Sequence, residues 1–252
     1  MITQEQVKGL DDGERAGAGP HGWDAALGSA YARIAGRPIA RNAGRFVVAL
    51  LLALLLTAKW KTLSTMLADD QLGAGGTDWA LLLNNALQIP FLALATLLVV
   101  IRGPQIRGTG RFSGVVVALS GTLIPSLLIY DSGARSDASL AAVAALLLLG
   151  GMIWAVWSLA VLGRCFAMVP EVRGLVTRGP YRWVRHPIYL GEVVATLGLL
   201  LPILSVFHVA IFAAFLGLQL WRTKYEETGL SATFPEYRAY RSRTARLVPG
   251  LW

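Results

Sequence analysis

Three runs of this chain carry no charge over lengths that few soluble folds use. Trp79 to Ile101 gives 23 such residues, Phe112 to Tyr130 gives 19 and Ala138 to Gly163 gives 26. A membrane-spanning helix needs about 20 consecutive apolar residues, so each run is long enough to cross a bilayer. A fourth run, Phe46 to Ala58, has only 13 uncharged residues. It becomes a span either by continuing past Lys59 and Lys61, whose long stems can snorkel, or by starting near Pro38. Pro187 to Trp221 holds 35 residues with one charge, Glu192. One helix of that length would be about 52 Å long, too long for a single crossing. Pro202 splits it into legs 187–201 and 203–221, a tight helical hairpin. Charged residues make up 15% of the chain and hydrophobic ones 55%, against roughly 25% charge in a soluble domain. The expected fold is an all-α polytopic membrane helix bundle of about six spans, or four spans plus a re-entrant hairpin.

The basic residues test that map. With six spans, 20 of the 23 Lys and Arg fall on one side; Lys59, Lys61 and Arg135 fall on the other. Such a split puts both termini in the cytoplasm. The net charge of +8 then belongs to the membrane face and not to a nucleic-acid surface. Arg outnumbers Lys by 19 to 4, a bias that points to a high-GC bacterial genome and so to the inner membrane. The first 20 residues are polar and Gly-rich and read as a tail without the apolar core of a signal peptide. From Trp23 to Ile34 the apolar residues recur at helical spacing, and Arg33, Arg37, Arg41 and Arg45 follow. This reads as an amphipathic helix on the membrane surface. The organisation is therefore a tail and interfacial helix over 1–45, four spans over 46–163, and a third region over 164–252.

Chemistry concentrates in that third region. Arg173-Gly-Leu-Val-Thr-Arg-Gly-Pro-Tyr181 leads into Arg185-His186-Pro187-Ile188-Tyr189. Pro187 suits the first position of a helix, with His186 at its cap, and a helix start attracts an anion. Arg222 and Glu226 stand four apart, so they either pair along the helix or reach into the mouth of the bundle. Glu192 is the one carboxylate within a span, where acids usually face the bundle interior. His208 lies far from these groups and reads as structural. The three histidines lack metal-ligand spacing, and a single cysteine, Cys165, excludes a multi-cysteine site. The GxG strings are not followed by a βαβ pattern, so no dinucleotide fold is expected.

Leu175-Val-Thr-Arg-Gly-Pro-Tyr181, Arg185-His-Pro-Ile-Tyr189-Leu-Gly191, Glu226-Glu227 and Phe234-Pro-Glu-Tyr-Arg-Ala-Tyr240 together resemble the isoprenylcysteine carboxyl methyltransferase family. The related phospholipid N-methyltransferases share the layout. The resemblance covers about residues 161–252. It implies a membrane methyltransferase that uses S-adenosylmethionine from the cytoplasmic side. Carried over by motif, it implies cofactor contacts from Arg173, Gly174, Leu175, Val176, Tyr181, His186, Pro187, Ile188, Tyr189 and Glu226, and a substrate contact from Arg222. The family often has His where this chain has Arg173. Glu192 is assigned by chemistry alone, as a catalytic candidate beside Arg222.

Chemistry fits this carry-over. The helix start at His186 suits the cofactor's carboxylate, Glu226 its ammonium or ribose, and the tyrosine faces its adenine or sulfonium. The expected partners are a lipophilic or lipid substrate and membrane lipids, with neither nucleic acid nor metal. Carboxyl O-methylation of an isoprenoid-type acceptor leads, through Arg222. N- or S-methylation of a phospholipid or small molecule is the alternative, through Glu192. From another class, membrane sterol reductases have a similar C-terminal hairpin and would use NADPH. A transporter is disfavoured because no charged pathway crosses the bilayer.

Overall fold

The computed structural model describes residues 38–68, 76–103, 105–108, 116–117, 120–122, 124–128, 138–168 and 171–249. The proposed interfacial helix and nearly half of the 112–130 span lie outside these residues. The protein is a polytopic membrane helix bundle. Helix α1 covers Pro38–Leu67, α2 Gly76–Ile101, α3 Ala138–Leu162, α4 Pro187–Leu200, α5 Val206–Thr233 and α6 Tyr237–Arg241. Four of them hold segments long and apolar enough to cross a membrane: Phe46–Leu67, Leu82–Ile101, Ser139–Cys165 and Val206–Thr233.

Both alternatives for the first span hold at once. Helix α1 begins at Pro38 and also runs past Lys59 and Lys61. The hairpin divides where Pro202 requires it: α4 ends at Leu200, a 3-10 turn covers Leu201–Ile203, and Ser205 caps α5 by accepting from the His208 amide. His208 Nδ1 also lies 2.8 Å from Ser205 Oγ, the structural role expected of it. With 14 residues, α4 is about 21 Å long, shorter than the ~30 Å hydrocarbon core. Helix α5 continues twelve residues beyond Trp221, and that extension carries Arg222, Glu226 and Glu227.

Helix α4 packs chiefly on α3 and much less on α5, its hairpin partner. Small residues make this possible. A Cβ at Gly191 would lie 2.6 Å from the Gly151 carbonyl oxygen, and one at Gly198 would lie 2.6 Å from the Ala144 oxygen. Lipid tails are as apolar as leucine, so close backbone approach of this kind is a main source of helix association in a bilayer. Leu148, Met152, Ala195, Leu199, Ile203 and Ile211 fill the far end of this seam.

The loops after α2 and α3 meet at one end of the bundle. Arg107–Gly108 (β1) pairs antiparallel with Glu171–Val172 (β2), with Arg107 opposite Val172. The Gly103 amide donates to the Arg164 carbonyl at 2.9 Å. The tail after α6 joins the same end: the Arg185 amide donates to Ala245 O at 2.9 Å and the His186 amide to Arg246 O at 3.1 Å. The charge map puts three of these stretches on one side, and the structure brings them together.

Candidate active site

At that end a cavity opens between the loop 165–189, α4, α5 and the short helix α6, with about 1210 Å³ of atom-free space, its mouth included. Every candidate residue lines it: Arg173, Gly174, Leu175, Val176, Tyr181, His186, Pro187, Ile188, Tyr189, Glu192, Arg222 and Glu226. Its inner wall is apolar and comes from Leu52 of α1 and from Phe91, Leu92 and Ala95 of α2. These belong to a cluster that also holds Val99, Leu159, Phe166 and Ile188. One end of the cavity is thus polar and faces the loops, and the other is apolar and lies among membrane helices.

The loop is held by its own charges. Arg173 donates to the Gly103 carbonyl and to Glu171, and its side chain is buried. Gly174 sits so close to Cys165 that an added Cβ would fall 2.6 Å from the sulfur. Gly179 has φ +57°, a left-handed conformation that favours glycine, and it starts the Gly179–Arg182 turn. That turn buries Tyr181, whose carbonyl accepts from the Tyr240 hydroxyl at 2.5 Å. Burial holds the Tyr181 hydroxyl well above its ordinary pKa and pushes Tyr240 up to about 12, so both stay neutral donors.

Pro187 opens α4 and His186 caps it, as the sequence predicts. Both ring nitrogens of His186 face carboxylates. Its Nε2 lies 3.2 Å from Glu227 and its Nδ1 3.5 Å from Glu226. Only the imidazolium can donate from both nitrogens. Burial opposes that charge, but the hydrogen bonds to Glu226 and Glu227 outweigh it, and the His186 pKa is raised. The ring orients two carboxylates.

Adjacent residues on a helix point about 100° apart, so the two glutamates part company. Glu227 turns toward the tail and is buried among Arg185 (2.8 Å), Arg246 (3.0 Å) and His186. Glu226 turns toward the cavity and is the more exposed, at 26% of its side chain. It accepts from the Tyr189 hydroxyl and lies 3.7 Å from Arg222 Nε. Arg222 is buried, donates to the Met168 carbonyl at 2.8 Å, and stands 4.7 Å over the Tyr189 ring. The Tyr189 ring also stacks on His186 at 5.7 Å. Its face, expected to receive the cofactor, is engaged by protein groups. Glu192 accepts from Gln219 Nε2 at 2.6 Å.

Glu227, Arg246, Tyr237 and Gln219 were not among the expected site residues. Gln219 had a signal: 219, 222, 223 and 226 share one helical face, and the first three are all buried. Among the described residues, three buried atoms on the lining have no hydrogen-bond partner: Arg173 Nε, Arg222 Nε and Tyr237 Oη. Buried polar groups without partners are uncommon. With the half-open Glu226 carboxylate, they form a donor-and-acceptor set suited to a ligand with both an anionic and a cationic end.

Residues 140–236 match the family model of the phospholipid methyltransferases. The matched stretch runs from α3 to α5 and includes every candidate residue. The whole fold is similar to that of the eukaryotic intramembrane Ras methyltransferase ICMT (isoprenylcysteine carboxyl methyltransferase), with a TM-score of 0.51 and 15% identity, covering 85% of this chain and 87% of that one. That likeness shows the membrane fold. The cobalt-zinc-cadmium resistance protein CzcN of Cupriavidus metallidurans is 34% identical over 114 residues, 43% of this chain and 52% of that protein. The methanethiol S-methyltransferase of Mycobacterium tuberculosis is 39% identical over 70 residues, 27% of this chain and 28% of that enzyme. The aligned stretches span about half of the first relative and just over a quarter of the second. Together these findings bear out the resemblance drawn from the motifs.

Proposed function

We propose that this protein is an integral membrane methyltransferase that uses S-adenosylmethionine and acts on a lipophilic acceptor at the cytoplasmic face of a bacterial inner membrane. The observation that carries the reading is the two-ended cavity, with the Glu226 carboxylate at its polar end and the α1 and α2 side chains at its apolar end. S-adenosylmethionine would supply a methyl group on a positively charged sulfur, open to in-line displacement.

The chain's own groups divide the work. Glu226 offers a carboxylate to an ammonium or a ribose hydroxyl. Tyr189 and His186 fix that carboxylate, so they act as positioning residues. The backbone of Gly174, Leu175 and Val176, with Tyr181, Pro187 and Ile188, walls the polar end. Arg173 acts on the cofactor through the loop it ties down. Tyr237 Oη and Arg222 Nε are donors for the ligand's remaining acceptor atoms. Leu52, Phe91, Leu92 and Ala95 exclude water and seat the acceptor's apolar part. Holding the nucleophile and the methyl carbon roughly 3–3.5 Å apart is the main catalytic task in such a displacement. A carboxylate acceptor would rely on Arg222, and a thiol or amine on Glu192.

Binding measurements test the assignment. Titration calorimetry on the detergent-purified protein should show S-adenosylmethionine binding that Glu226→Gln weakens. Binding of NADPH with none of S-adenosylmethionine would replace this reading with a reductase.

A further inference from the structure

Glu192 on the cavity lining has a polar partner behind it, and holding the cofactor leaves this pair unused. Glu192 lies on α4 and Gln219 on α5, and the Gln219 amide donates to Glu192 Oε2 at 2.6 Å. Gln219 is fully buried. The bond joins two helices that otherwise touch little, so it holds the carboxylate in place against the cavity that Glu192 lines. Oε1 accepts no hydrogen bond from the described residues, so one oxygen of a positioned carboxylate is left for a ligand.

The charges around it decide which ligand. Arg222 is flanked by Glu226 at 3.7 Å and lies within electrostatic reach of Glu192; Tyr189 and Glu226 also face Glu192. Elsewhere on the lining, Glu171 is paired with Arg173, and Arg185 with Glu227. Glu226 faces two cations, Arg222 and the His186 imidazolium, while Glu192 presents its own charge to the cavity. A carboxylate acceptor brought up to the open Glu192 oxygen would meet a like charge that a buried site screens poorly. An acceptor that sheds a proton meets a base instead.

Resting on the methyltransferase reading above, we propose that Glu192 is the proton acceptor of the reaction, positioned by Gln219, and that the acceptor is a lipophilic thiol or amine. The acceptor's sulfur or nitrogen forms the bond to the methyl carbon. The methyl's bond to the sulfonium sulfur breaks, and its electron pair stays on that sulfur. The acceptor's proton passes to Glu192 Oε1, which becomes a neutral acid.

The test uses the full chain in detergent with labelled S-adenosylmethionine and three probes of equal chain length: dodecanethiol, dodecylamine and dodecanoic acid. Glu192→Gln keeps an oxygen for the Gln219 amide but removes the base, and Glu192→Asp keeps the base. The wild type should methylate the thiol or the amine at least tenfold faster than the acid, and which of the two is faster names the acceptor. Glu192→Gln should lower kcat on that probe by about 10²-fold or more, the loss expected for a general base. It should remove the acidic limb of the pH profile and leave the cofactor Kd and the Tm unchanged, while Glu192→Asp recovers part of the rate. Preference for dodecanoic acid, or an undiminished rate in Glu192→Gln, would overturn the proposal. Loss of Tm in Glu192→Gln without rescue of rate by Glu192→Asp would reduce the pair to a structural tie and overturn it too. Failure of the wild type to bind S-adenosylmethionine in calorimetry would instead overturn the underlying methyltransferase reading.

Discussion

Arg246 meets Glu227 through two nitrogens, Nη2 at 3.0 Å and Nε at 3.3 Å, across 19 residues of sequence. The pair fastens the C-terminal tail to the end of α5. Arg185 extends the fastening, because its guanidinium reaches Glu227 and also the Arg241 carbonyl at 3.0 Å. The tail is thereby held behind α6, whose Tyr237 and Tyr240 line the cavity. Removing Glu227 would leave three cations around a buried vacancy. Glu227→Ala should destabilise the protein by about 3–5 kcal/mol, the usual cost of breaking a buried charge cluster from one side. A Tm series in one detergent checks it, and Tm within a degree of wild type would contradict the account.

His186 gives the protein a pH signature. Its folded pKa is raised above its ordinary value of 6.5. The proton is therefore bound more tightly in the folded state, and the stability it contributes is fully present below pH 6.5. That contribution is lost as pH rises through the folded pKa. Thermal unfolding followed from pH 6 to 9 should show Tm falling over the upper part of the range. His186→Asn should flatten that fall, and an equal slope in the variant would assign it to other groups.

The α3–α4 seam sets the position of His186 and Tyr189, so it also sets the site. Gly191→Ala places a methyl group against the Gly151 oxygen and the Ala155 backbone nitrogen, at 2.6 and 2.8 Å. Neither is a flexible side-chain end, so the helices must separate. A loss of about 1–3 kcal/mol is expected from such overpacking, with weaker cofactor binding as α4 shifts. Gly150→Ala is the control, because a Cβ there has nothing within 4 Å.

Glu226 and Tyr189 should differ in their effects on cofactor affinity. Glu226→Gln removes the charge that faces the cavity and should cost about 1.5–3 kcal/mol of binding, roughly 10- to 100-fold in Kd. Tyr189→Phe removes only the hydroxyl that orients Glu226, and should cost about 0.5–1.5 kcal/mol. Equal losses in the two variants would mean that Tyr189 touches the cofactor directly.

Much of this site was legible because its residues sit at points where the chain has few choices. Pro187 can open a helix but not continue one, and Gly179 takes a conformation that favours glycine, so both fix the path into the cavity. The uncharged runs marked the helices, and the basic loops marked the end where they meet. The rest depended on contacts between distant segments. Arg246 follows Glu227 by nearly twenty residues, with a helix between them, and no local pattern joins the two. Gln219 is neutral within an apolar run and leaves charge counts unchanged. His186 stands at the start of α4, and its ring faces Glu226 and Glu227. Its position at a helix start suggested an anion from outside, while Glu226 and Glu227, forty residues later, supply the anions from within.

The proposed work of the cavity is transfer of a methyl group from S-adenosylmethionine to a lipophilic acceptor. Methyl-labelled S-adenosylmethionine incubated with the purified protein and a lipid extract of its host tests it most directly, with Glu226→Gln as control. Label is expected in the lipid fraction, stable to mild base, and at least tenfold less with the variant. Label released by base as volatile methanol would show a methyl ester and remove Glu192 from the chemistry. No incorporation by a folded protein, or equal incorporation by Glu226→Gln, would contradict the account.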